Sequence, residues 1–138
     1  MKRKQVSGSA EAEYAADVAL AARSDELLAA ARAAEQEYRR AQAAVRPDSE
    51  QYALAKKLDS ALTDAVHSAY AAERAEIGPR GYDDWIYRRK AKARSAVHAW
   101  ADEADHLLTM RETHRLTGFP PAPRADLPGD IVTHVSAA

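Results

Sequence analysis

The chain has 138 residues, 33 alanines against five glycines, no cysteine and a formal charge of −1. That length is one domain by size, and the alanine content points to an all-α fold. Without cysteine there are no disulfides, thiolate nucleophiles or cysteine metal sites, and the near-neutral charge leaves no strong whole-molecule field to steer a polyanion.

Residues 1–9 carry Lys2, Arg3 and Lys4 followed by Val6-Ser7-Gly8-Ser9. No apolar core of a signal peptide follows the charges, so the segment reads as a flexible basic arm. The first helix is expected over about residues 10–46. Leu20, Leu27, Ala34 and Ala41 recur every seven residues, as do Ser24, Ala31, Tyr38 and Val45, which makes an a/d seam suited to a shallow-angle neighbour. Tyr14, Val18, Ala21 and Leu28 form a second stripe beside it.

Pro47 ends this helix. Asp48 is the expected N-cap of a second helix over 48–77, with Gln51 as its reciprocal partner. Leu54, Leu58, Leu62, Val66 and Tyr70 are spaced by four, so the row sweeps around about 160° at roughly 100° per residue. That is too wide for a single neighbour, which makes this the middle helix.

Gly78-Pro79-Arg80-Gly81 supplies a turn, and Asp83 or Asp84 is the expected cap of a third helix over 83–117. Its buried face should hold Tyr82, Ile86, Ala93, Ala96, Val97, Trp100, Ala104, Leu107 and Leu108, with Arg111 falling oddly inside it. Short connections imply antiparallel neighbours. The expectation is an elongated up-down-up three-helix bundle at residues 10–117. An extended Pro-containing tail at 118–138 follows. The core is thin, because a buried alanine methyl contributes only about 0.8 kcal/mol against roughly 1.5–3 for leucine.

Two segments are candidate binding surfaces. Residues 78–95 carry six basic and two acidic side chains, and Trp85, Tyr87, Arg88, Arg89, Lys92 and Arg94 are the expected contacts to a protein partner or to nucleic acid. On a helical wheel Arg88 and Lys92 diverge from Lys90 and Arg94, and Arg89 falls near the apolar face, which favours a solvated or partner-binding surface over nucleic acid. In the tail, Phe119, Pro120, Pro123, Ile131 and Val132 are candidate docking residues, through a polyproline-like turn and a strand-like end, the alternatives being disorder or packing of Phe119 and Ile131 onto the bundle.

Metal and cofactor are not expected. Asp64-x-x-His67 and Glu103-x-x-His106 have the Glu-x-x-His spacing of di-iron bundles, but a simple turn near residue 80 sets the pairs roughly 20 Å apart along the axis. His98, Asp102 and His106 read as a polar stripe. There is no phosphate loop, zinc-protease motif or nucleophile elbow. Type VII secreted hairpins carry a Trp-x-Gly turn, whereas Trp85 here precedes Ile86-Tyr87. The expected function is therefore a non-enzymatic cytoplasmic interaction or assembly subunit, with a protein partner or homo-oligomerisation and no membrane. The alternative is a nucleic-acid-associated protein using residues 82–94 and the basic arm.

Overall fold

The structure, a computed structural model, describes residues 6–121. Those residues are all-helical, without strands. The order is α1 (Gly8–Ala21), α2 (Ser24–Ala43), α3 (Asp48–Ile77), α4 (Arg80–Asp83), α5 (Trp85–Ala91) and α6 (Ser95–Thr113), closed by a π turn over His114–Gly118.

The stretch expected as one helix over 10–46 is two helices bent at Ala22-Arg23. Arg23 N–H bonds back to Leu20 O at 3.0 Å, a tighter spacing than the α pattern. Ser24 and Asp25 favour a helix start over a helix interior, and Asp25 and Glu26 occupy the first turn of α2. At its other end α2 stops at Ala43, three residues early. Val45, assigned to the seam by its heptad position, adopts φ 51° and is 82 % exposed. Of the other seam positions, Leu27, Ala31, Ala34, Tyr38 and Ala41 are buried and Leu20 and Ser24 are half-buried.

Asp48 begins α3 but does not cap it. Pro47 occupies the cap position without a side-chain bond. The turn is held instead by Gln51 Nε2 donating to Arg46 O at 2.7 Å and by a two-point Arg46–Glu50 ion pair.

Helix α3 touches α1, α2 and α6, and is the shared neighbour of all three. Leu58, Leu62, Ala65, Val66, Ser68, Ala69, Ala71 and Ala72 are buried along it, and Leu54 and Tyr70 are half-buried. Glu37 pairs with Lys57 and Asp17 with Arg74, both at 2.8 Å, so contacts climbing α1–α2 descend α3. On the opposite flank Leu107 packs with Ala65, Val66 and Ala69, while His114 Nε2 donates to Ala55 O at 2.8 Å. At this last end His114 stacks on Phe119 at 4.7 Å and meets Tyr38 edge-on, and Tyr38 donates to Gly118 O.

The third expected helix is three elements. Asp84 accepts from Tyr87 N–H and caps α5, while Asp83 takes both Ser7 N–H and Ser7 Oγ–H. A second break at Lys92–Arg94 separates α5 from α6. There Arg94 is extended, and its guanidinium bonds Glu76 O and Ile77 O, the open carbonyls at the end of α3. Consequently Ile86, Ala93 and Ala96, assigned to the buried face, are exposed, and Trp100 is half-buried. Val97, Ala104 and Leu107 hold their expected places.

Candidate interaction surfaces

The first surface is the outer side of α5. Tyr87 and Ala91 face inward, where Ala91 joins Ile77 and Val97 in a small core. With that side fixed, Trp85, Arg89 and Lys92 at i, i+4 and i+7 form a stripe pointing outward, and Arg88 lies on its flank, beside Gly81, Ile77 and Tyr82. Arg89 is exposed, contrary to its expected place near the apolar face. Trp85 is 61 % exposed and Ile86 beside it 52 %. Arg88, Arg89, Lys90 and Lys92 have no ion-pair partner among the described residues. Tyr87 lies under Arg80 in a cation–π contact at 4.5 Å, and Arg94 is engaged at the end of α3. Those two residues therefore build the surface and do not present it. Gly81 lets α4 seat against α3, since a Cβ there would come within 2.5 Å of Ile77 Cγ2.

The second surface, missed by the sequence reading, is a groove over α3. Helices α2 and α6 both pack on α3 but hardly on each other, and three adjoining hollows of about 340, 280 and 200 Å³ run between them. Leu58, Leu62, Ala65 and Ala69 form the floor, with Leu28 on one wall and Leu107 and Met110 on the other. The 200 Å³ hollow, at the Trp100 end, has Asp25 on one rim and Glu103 on the other and no basic side chain. Neither carboxylate has an ion-pair partner among the described residues, whereas Glu35, further along, pairs with Arg39 at 2.6 Å. Ser24 Oγ in the same hollow is buried without a hydrogen bond. Small side chains read as helix propensity in the sequence are what keep this groove open.

Of the tail candidates, Phe119 is turned onto the chain itself, 5.7 Å from Tyr52 and against the Tyr38–Leu58 core, with Pro120 half-buried beside it. Pro123, Ile131 and Val132 lie outside the described residues. Because α4 and α5 interrupt the turn, the register of α6 on α3 differs from that of a simple hairpin. Leu107 faces Ala65, so His106 lies level with the middle of α3 and not with residue 53. His106 and His67 are therefore not separated along the axis by the roughly 20 Å expected of a simple hairpin. Even so, no group of three or more metal-ligating side chains converges among the described residues. No helix among them is long and apolar enough to cross a membrane.

No protein-family model matches the sequence, and neither a curated protein nor a solved structure gives a match.

Proposed function

We propose that the chain is a non-enzymatic assembly component: an antiparallel three-rod bundle, α1–α2, α3 and α6, whose open side and tip receive partners. The observation that carries this reading is the groove. A middle helix buries apolar residues toward two flanking helices, yet those flanks do not close over it. Leu58, Leu62, Ala65 and Ala69 lie buried at the foot of this cleft, and the half-buried Leu28 and Met110 line its walls. Contiguous apolar surface rimmed by polar groups is characteristic of protein contact sites. The exposed Trp85, with Arg88 and Arg89 around it, has the composition of an interface anchor.

A photo-crosslinking amino acid placed at His106 in the native host, with Arg39 on the outer side of α2 as control, tests this. The expected result is one discrete adduct at position 106 and none at 39. Diffuse labelling of equal strength at both positions would count against it.

One observation favours a second reading. Trp85, Arg89 and Lys92 share a face with Arg88 on its flank, which gives a stacking ring beside cations for single-stranded nucleic acid. Binding of that kind weakens steeply with salt and is lost in Arg88→Glu with Lys92→Glu. The exposed aliphatic Ile86 in the same patch suits a protein better than a phosphate backbone.

A further inference from the structure

The two surfaces complement each other, and we infer that the α5 tip of one copy docks into the Trp100 end of the groove on a second copy. The inference rests on the assembly reading above and adds the identity of the partner. The hollow there is about 200 Å³. That is smaller than the roughly 300–1,000 Å³ typical of small-molecule pockets, and suits one large side chain more than a ligand or a whole helix.

Its chemistry asks for an apolar body, a hydrogen-bond donor and flanking positive charge. The floor of Ala65 and Ala69 with Leu28 and Leu107 is apolar, and among the described residues Ser24 Oγ has no hydrogen bond and Asp25 and Glu103, on opposite rims, have no ion-pair partner. The tip offers each counterpart. Trp85 is an exposed ring whose indole N–H donates and cannot accept, and it makes no hydrogen bond among the described residues. Arg88 and Arg89, both one turn on from it along α5, have no ion-pair partner among the described residues.

Charge complementarity therefore selects a second copy as occupant. Tryptophan and arginine are the side chains most enriched at interface hot spots, and complementary charge around them sets register and partner choice. Because tip and groove are different patches, the contact is heterologous. Repetition gives a closed ring or an open filament, not a two-fold dimer.

Sedimentation velocity on the purified chain across a concentration series tests this. The wild-type chain is expected to grow beyond a monomer with concentration, and to dissociate roughly tenfold more readily when salt is raised to about 0.5 M. Trp85→Ala with Arg89→Ala should be monomeric, as should Asp25→Lys with Glu103→Lys. Trp85, Arg89 and Asp25 are exposed and Glu103 is half-buried, and circular dichroism melts check that both variants fold.

Mixed in equal amounts, the tip variant supplies a good groove and the groove variant a good tip. The mixture should form one-to-one heterodimers and stop there. A wild-type chain that stays monomeric, association that survives in either variant, or a mixture that does not pair would each overturn the inference. If the wild type is monomeric while position 106 still crosslinks to a different protein, self-docking is removed and the assembly reading stands. Binding of the monomer to single-stranded RNA, lost in the tip variant, would assign the tip to nucleic acid.

Discussion

At the scale of single residues, the end of the rod farthest from α5 depends on close approach between His114 and Gly118. The imidazole lies over the glycine, and a Cβ at position 118 would sit 2.3 Å from His114 Nδ1. Gly118→Ala must displace a ring that also donates to Ala55 O and stacks on Phe119. A loss of about 1–3 kcal/mol is expected, as for other overpacked sites, read from urea midpoints.

Asp17 holds the other end. Burial pushes its carboxyl pKa up, but hydrogen bonds from Arg74 and Tyr82 outweigh that and hold it below the ordinary carboxylate range. A hydrogen bond from Arg115 lowers Asp59 in the same sense. Groups depressed in the folded state stabilise it above their unfolded pKa, near 4, and lose that contribution as pH falls through the folded value. Stability should thus be level from neutral pH down to about 5 and fall below about 4. Asp17→Asn should cost about 1 kcal/mol at pH 7 once solvent screening of the half-exposed Arg74 is allowed for, and should flatten part of the acid limb. An acid limb unchanged in Asp17→Asn would contradict this.

At the scale of elements, capping decides the boundaries. Val45 occupies the left-handed position after α2, a place suited to glycine and poor for a β-branched residue. Its side chain is exposed, so little packing is lost on removal. Val45→Gly should raise stability by about 1 kcal/mol, the left-handed penalty less part of the glycine entropy cost. Arg94 makes the break before α6 by satisfying the carbonyls of Glu76 and Ile77. Arg94→Ala should cost about 1 kcal/mol and speed amide exchange in the last turn of α3.

These elements also show what the sequence could reveal. The four-residue leucine spacing of α3 made its role as the shared helix legible, because burial on two sides needs a wide apolar arc. Pro47 and Gly78 marked their turns for the local reasons expected of them. The breaks at Arg23 and at Lys92–Arg94 carry no proline or glycine. They arise from a serine–aspartate helix start and from a long-range arginine cap, and neither has a local pattern of its own. Missing the second break misplaced Ile86, Ala93 and Ala96 and set the wrong register for α6. The aromatic-basic stripe was legible as composition, but its one-sidedness emerged only once Tyr87 and Ala91 fixed the inner face of α5. The groove had no sequence signal, since it depends on two distant helices failing to meet.

At the scale of the whole molecule, the account turns on that failure. The floor of the groove and its rims exist only while α2 and α6 stand apart on either side of Leu62. Partner docking and the proposed tip-into-groove contact both need the cleft. Because the chain has no cysteine of its own, spin labels can be placed by Arg32→Cys and His106→Cys, on opposite walls of the groove. Electron–electron dipolar spectroscopy on the labelled monomer should give one distance distribution, centred well beyond the roughly 8–10 Å axis separation of helices in direct contact. A distribution collapsed to the spacing of directly packed helices would mean that α2 and α6 close over Leu62, and would contradict the open cleft.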